Sequence, residues 1–285
     1  MNEVIMHDGS RTDRIGHGEN GTPQSWRVRL PASGVAPPTT ARFALSAAIL
    51  PRLEDALAVG DRVRMAVLRY SDGHPVFVGR DSTGQVARCH HHAWFLPADD
   101  DADGAIDHVV VHARGGFDHA ALRALAQLRL VWGHGGGTLG LTLVDLGSPC
   151  ELGCLRRDAR RSGLSAQLGA GRVWESVTPF VPPRHSKVRG GVVRDAPIEQ
   201  VARLLVLHGF PPARVEPLAA EEVTRPRPPS PIGWERFRRV RSSGNGSRGA
   251  DAAFGFRLRF ERPVTGPIAL GYGAHQGLGQ FVAVQ

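Results

Sequence analysis

The sixteen residues GPIALGYGAHQGLGQF, 266–281, carry five glycines and a single histidine near the C-terminal end of a 285-residue chain. They follow a strand-like run, FGFRLRFERPV (254–264), and FVAVQ (281–285) comes after them. A dinucleotide-binding fingerprint places its glycines between a first strand and a helix, so that reading fails here. Two readings remain open. Glycine lets backbone N–H groups approach a phosphate closely, as in anion-binding nests. It also permits a bulged hairpin turn at the end of a sheet. Gly271, Gly273, Gly277 and Gly279 alternate with Tyr272, Ala274, His275, Gln276 and Leu278 in this loop.

Working back from the loop, ERFRRVR (235–241) pairs as a strand with 254–264 around the intervening SSGNGSRGAD. ARVEPLA (213–219) and VWESVTPFVPP (173–183) also read as strands. PIEQVARLLVLHG (197–209) is a helix closed by Gly209. The first half has a similar order. ARFALSAAIL (41–50) is a strand or short helix, and after a proline break a helix runs from Arg62 to Tyr70. VFVGRDSTGQ (76–85) reads as a strand and turn, AWFLP (93–97) and IDHVVVHA (106–113) as strands, and TLGLTLVDL (138–146) as another. FDHAALRALAQLRLVW (117–132) repeats its apolar residues at helical spacing, with Asp118 near its N-terminus. Helices interleaved with short strands in this order predict an α+β protein of tandem ferredoxin-like units with antiparallel sheets. The expected division is a poorly ordered tail 1–37, a first domain 38–150, a linker 151–171 and a second domain 172–285.

Charge points to the partner. The chain has 35 Lys and Arg against 27 Asp and Glu, a formal net charge of +8. Between Arg225 and Arg262 lie ten arginines against Glu235, Asp251 and Glu261. Arg236, Arg238, Arg239, Arg241, Arg257 and Arg259 interleave there with Trp234, Phe237, Phe254, Phe256 and Phe260. That combination suits phosphate contacts with base stacking, so RNA or DNA is the first candidate partner. No run of about eighteen apolar residues predicts a membrane span. The N-terminus lacks a signal-peptide core, so a cytoplasmic protein is expected. Cys89, Cys150 and Cys154 form neither a disulfide framework nor a zinc spacing.

Three polar clusters carry possible chemistry. TPFVPPRHSKVRGG (178–191) sets Arg184, His185, Ser186, Lys187 and Arg189 after a strand and before a helix. Imidazole transfers protons near neutral pH and a neighbouring cation stabilises a crowded phosphate, although the same loop could simply grip RNA. In RCHHHAWFLP, strand alternation puts His90 and His92 on one face, where they ligate a metal, share a proton or are ordinary hydrogen-bonding residues. Asp99, Asp101, Asp103 and Gly104 match the first half of a calcium loop, but Val110 occupies the twelfth position where that loop needs a glutamate. They are weak metal candidates, and no cofactor is expected.

Four segments in one order, HHHAWFLPADDDADGAIDHVVVHA, GFDHAALRALAQLRLVWG, WESVTPFVPPRHSK and GPIALGYGAHQGLGQF, resemble the CRISPR-associated Csb-two family. That family is the Cas-five/Cas-six fusion of type I-U (also called I-G) systems, within the RAMP superfamily. The resemblance covers roughly residues 38–285 and mainly matches the processing-enzyme portion; a Cas-five-like half ahead of it is expected to be missing. It implies tandem RRM-like RAMP domains, cleavage of precursor CRISPR RNA within the repeat, and retention of the guide RNA beside other type I interference-complex subunits. It also implies metal-independent chemistry, in which a 2′-hydroxyl attacks the adjacent phosphate. On the resemblance, His185 is the general base and Lys187 or Arg184 steadies the phosphate. His275 comes second, as acid or RNA contact, and His90 and His92 third. The glycine-rich loop of the superfamily maps onto Gly271, Gly273, Gly277 and Gly279.

Overall fold

A computed structural model describes residues 3–5, 27–29, 36–79, 92–133, 136–154, 165–190, 192–223, 232–240 and 252–284. The chain divides into two compact units, Met1–Pro37 and Pro38–Gln285. In the first, β1 (Glu3–Ile5) pairs antiparallel with β2 (Arg27–Arg29). Among the described residues no helix is long and apolar enough to cross a membrane.

The larger unit begins with β3 (Thr40–Ser46), α1 (Ala56–Tyr70) and a helical turn α2 (Pro75–Val78). It continues through β4 (Trp94–Ala98), β5 (His108–His112), α3 (His119–Ala126), β6 (Leu130–Gly133) and β7 (Gly136–Gly147). The sheet order is β4-β5-β3-β7-β6, antiparallel throughout. With β6 set aside as an added hairpin strand, this is the four-one-three-two strand order of a ferredoxin-like βαββαβ unit.

Next come α4 (Pro149–Cys154), β8 (Ala170–Ser176), and a hairpin of β9 (Lys187–Arg189) and β10 (Val192–Arg194). Then follow α5 (Pro197–Leu207), β11 (Ala213–Pro217), β12 (Phe256–Thr265), β13 (Ile268–Ala269) and β14 (Gln280–Val284). The second sheet runs β11-β12-β8-β14-β13, again antiparallel. The four-one-three-two order returns, so the architecture is α+β with tandem ferredoxin-like folds. One element differs. The second helix of the repeat is replaced by the glycine-rich loop between β13 and β14, which holds only the short helical turn Ala274–Gln276.

Local chemistry accounts for the boundaries. Asp118 caps α3 by accepting from the Ala121 amide at 2.8 Å. Pro197 opens α5, Glu199 reaches back to the Ala196 amide at 3.0 Å, and Gly209 ends the turn with φ 72°. All five residues of β4 are buried, because the second fold covers the face that a lone ferredoxin unit leaves open. Trp94, Leu96 and Val110 share one apolar cluster with Leu168, Ala269 and Ala274. The second fold has its own core, in which Trp174, Phe180, Leu205, Leu258 and Phe281 are buried.

Four local expectations change. The helix expected from Arg62 starts at Ala56, because Gly60 is tolerated within it. Residues 75–78 are helical rather than extended, since Pro75 stands at the first helical position and His74 Nδ1 accepts from the Val76 amide at 3.3 Å. The helix expected to reach Trp132 stops at Ala126, and Leu130–Gly133 joins the sheet beside β7. ERFRRVR does not pair with 254–264 among the described residues. Trp234 and Phe237 are buried, Trp234–Arg236 forms a helical turn, and the Arg238 amide donates to Glu54 O at 2.9 Å. β12 takes β11 and β8 as neighbours instead.

Candidate functional site

The basic loop 184–187 leaves the second core through buried Phe180 and Val181 and emerges with Arg184, His185, Ser186 and Lys187 exposed. Its main chain is nevertheless fixed. Gln200, fully buried in α5, accepts from the Arg184 amide at 3.3 Å and donates to Arg184 O at 2.9 Å and Asp195 O at 2.8 Å. Ser186 Oγ donates to the same Asp195 carbonyl at 3.1 Å. Asp195 itself sits at φ 59°, a conformation uncommon for a residue with a side chain, and its carboxylate pairs with Arg203 at 2.7 Å. His185 is thus an exposed imidazole between two anchored neighbours, with Lys187 opening β9 opposite Arg194. Strain and buried polar clamps around an exposed reactive group are features of a preorganised site.

The glycine-rich loop is built by packing. Gly271, Gly273, Gly277 and Gly279 all have positive φ, at 97°, 70°, 104° and 61°. A Cβ on Gly271 would stand 2.7 Å from Val181 O, and one on Gly277 would stand 2.7 Å from the Pro97 ring. A Cβ on Gly273 would crowd Leu278 and Leu57, and one on Gly279 would strike Leu270 O. The amides of Tyr272, Ala274, Gln276, Leu278 and Gly279 donate to Val181, Gly271, Gly273, Gly273 and Pro179 carbonyls respectively. Of the two readings of these glycines, the hairpin turn accounts for their conformation, and those five amides are already committed inside the protein. The loop also wedges into the first fold. Gly60 of α1 faces Gln276 O and Phe95 O, with no room for a side chain.

His275 stands at the tip of this wedge. Its ring stacks on His92 with centroids 3.9 Å apart and planes 15° from parallel. Trp94 Nε1 donates to His275 Nε2 at 3.2 Å. An indole N–H only donates, so Nε2 is an acceptor and the ring proton sits on Nδ1, which donates to Ala93 O at 3.3 Å. Both nitrogens of His275 are therefore engaged, and the ring is placed to join the two folds. His92 also lies against Gly79, where a Cβ would be 3.0 Å from the ring.

The same junction holds residues that the spacing of the sequence did not single out. Trp94 stacks on His112 and His208 at 5.7 and 5.5 Å. The Arg114 guanidinium lies 5.4 Å from Trp94 and 4.8 Å from Phe210, and donates to His208 O. His112, buried and bonded to Thr40 Oγ1 at 2.9 Å, has its pKa pushed down to about 3 by burial and by the charge of Arg114. The one signal in the sequence is a tryptophan two residues after three consecutive histidines, and it points to neither His112 nor His208.

The remaining candidates separate by partner. Arg257 is bound through two nitrogens to buried Glu175, at 2.9 and 2.7 Å, which makes it an internal ion pair rather than a free phosphate ligand. Arg259 shares Glu216 with Arg214 at the exposed edge of the sheet. Arg236 and Arg238 reach Glu54 and Asp55 at 3.5 and 3.6 Å with more than half of each side chain exposed. Arg239 is half-buried. His90, Arg241 and the side chain of Arg189 lie outside the described residues. Of the aspartates, Asp99 accepts from the Asp103 and Gly104 amides, Asp101 from the Asp103 amide, and Asp103 from the Ala105 amide. The three carboxylates come within 4.8 Å of one another, yet each is already an acceptor for its own turn, the ordinary use of aspartate in a tight loop.

No protein-family model matches the chain, and no curated protein does. Among solved structures the chain is similar to one described as a RAMP protein binding different RNA substrates, at 12% identity and a TM-score of 0.41, covering 87% of this chain and 99% of that one. It is similar to a CRISPR-associated protein Cas6 at 6% identity and the same TM-score of 0.41, with the same coverage of 87% and 99%. A third is the product of a Cas6-related gene from Pyrococcus furiosus, at 10% identity and a TM-score of 0.37, again covering 87% and 99%.

Proposed function

We propose that this protein binds CRISPR precursor RNA, cleaves it within the repeat without a metal, and retains the guide RNA in a type I interference complex of the I-U (I-G) subtype. The observation that carries the reading is the clamped presentation of His185. An exposed imidazole and two cations, Arg184 and Lys187, ride on a main chain held by buried Gln200 and by Asp195 O. The ordered motifs that resemble the Csb-two family support the same reading.

In the proposed reaction His185 takes the proton from a ribose 2′-hydroxyl. The oxygen attacks the adjacent phosphorus, the P–O5′ bond breaks, a water gives a proton to the departing 5′-oxygen, and protonated His185 returns its proton to solvent. The products are a 2′,3′-cyclic phosphate and a 5′-hydroxyl, with no redox change. Lys187 and Arg184 stabilise the charge on the phosphorane. Each proton-transfer partner contributes ~10²–10⁴-fold. Arg189, Arg239 and Arg259, with Arg236 and Arg238 at the exposed ends of their ion pairs, hold the RNA backbone. His92 and His275 fix the relation of the two folds.

Labelled repeat RNA incubated with the protein in EDTA tests the chemistry. Fragments ending in a cyclic phosphate support the proposal, and a strict requirement for Mg²⁺ contradicts it. A second reading, a subunit that grips CRISPR RNA without cutting it, is favoured by the engagement of both His275 nitrogens. It predicts tight, salt-sensitive binding and no product at any excess of protein.

A further inference from the structure

A groove of about 800 Å³ lies between α1 and the edge strand β6 of the first fold. Its walls carry Met65, Arg69 and Tyr70 from the helix and Leu130 and Trp132 from the strand. Trp132 is 60% exposed, Met65 49%, Leu130 48% and Tyr70 38%. Large apolar side chains collected at one exposed place mark an interaction site. The groove is also a built one. Arg62 crosses from α1 to the hairpin and donates to Val131 O at 3.3 Å and Gly137 O at 2.6 Å, which fixes the strand against the helix.

Charge selects the occupant. The only ionised side chains that line the groove among the described residues are Arg62 and Arg69, and neither has a carboxylate partner there. Two exposed aromatic rings beside the exposed Arg69 guanidinium, with no carboxylate in the lining, provide what single-stranded nucleic acid needs, a flat face for a base and a cation for its phosphate. We infer that the α1–β6 groove is a second RNA-binding site, taking single-stranded RNA by stacking of a base on Trp132 with Arg69 at the phosphate. The inference rests on the RNA-binding function proposed above and adds a site remote in sequence from residues 184–187.

The test uses the full chain and fluorescein-labelled oligouridylate, which has no stem, with anisotropy read across a salt series. Trp132→Ala weakens binding by roughly 5- to 150-fold, the range for loss of one stacked base. Trp132→Phe restores most of the affinity, and Arg69→Ala lowers the salt slope by about 0.7. Because Trp132 is exposed, unchanged thermal unfolding of the variants separates these effects from misfolding. Oligouridylate affinity within twofold of wild type in Trp132→Ala, with repeat RNA still bound, overturns this inference and leaves the proposed function standing. Failure of the wild-type chain to bind either RNA removes both. A change in oligomeric state in Trp132→Ala with RNA affinity unchanged makes the groove a protein interface and also overturns it.

Discussion

The imidazole rings of His92 and His275 lie parallel and 3.9 Å apart, although 183 positions separate them in the chain. His275 accepts the Trp94 indole proton, so its ring ties the glycine-rich loop of the second fold to β4 of the first. His275→Phe keeps a ring for the stack and leaves the Trp94 donor without its acceptor. The expected cost is about 1–3 kcal/mol, read as a lower urea midpoint, because an orphaned buried donor loses its compensation for desolvation. Cleavage by the folded fraction is expected to stay near wild type. Loss of cutting at full folding would move His275 into the catalytic group.

Gly60→Ala tests the wedge. Alanine is the better helix former by about 1 kcal/mol, so propensity alone predicts stabilisation. The added methyl would instead meet Gln276 O and, at 2.8 Å, Phe95 O. Overpacking of this kind costs about 1–3 kcal/mol, and the net result should be a lower melting temperature. Gly137→Ala is the control, since a Cβ there meets nothing within 4 Å. Its effect should stay within about 0.5 kcal/mol.

Acid should weaken the junction through His112. Its folded pKa of about 3 lies below the usual 6.5, so between those values the unfolded chain binds a proton that the folded chain does not. Stability from this group is therefore complete above pH 6.5 and falls progressively as pH drops from there towards 3. Urea midpoints at pH 7 and pH 5 for the wild type and His112→Gln measure the difference. The variant should show the shallower dependence.

Gln200→Ala removes the clamp beneath the basic loop. Arg184 O loses its donor, Asp195 O keeps only the Ser186 hydroxyl, and the Arg184 amide loses its acceptor, in a part-buried setting. A loss of about 2–4 kcal/mol is expected. Cleavage should fall more than RNA affinity does, because the loop keeps its charges and loses its position. Equal loss of both would assign Gln200 to folding alone.

Much of the fold is legible in the residues. The β-branched run of β5, the capping Asp118, and the Pro197–Gly209 bounds of α5 each specify their element locally. Most of the misread segments are those where contacts distant in sequence override local preference, and Pro75–Val78 is one where a proline and the His74 cap decide it. The helix expected from Arg62 begins six residues earlier, and Gly60 within it faces Gln276 O of the second fold. Leu130–Trp132 continues a helical period but pairs with β7. ERFRRVR alternates like a strand, yet Trp234 and Phe237 are drawn into the protein and Arg236 and Arg238 towards acidic Glu54 and Asp55. At the site, the loop 184–187 could be read from its charges. The Trp94, His112 and His208 cluster could not, because Trp94 and His112 meet only through the register of β4 on β5 and His208 joins them from the second fold.

His185→Ala tests the central claim most directly. With saturating protein and labelled repeat RNA, the account predicts that single-turnover cleavage falls by at least about 10²-fold while the dissociation constant changes by less than threefold. Cleavage at the wild-type rate by the folded variant would contradict it.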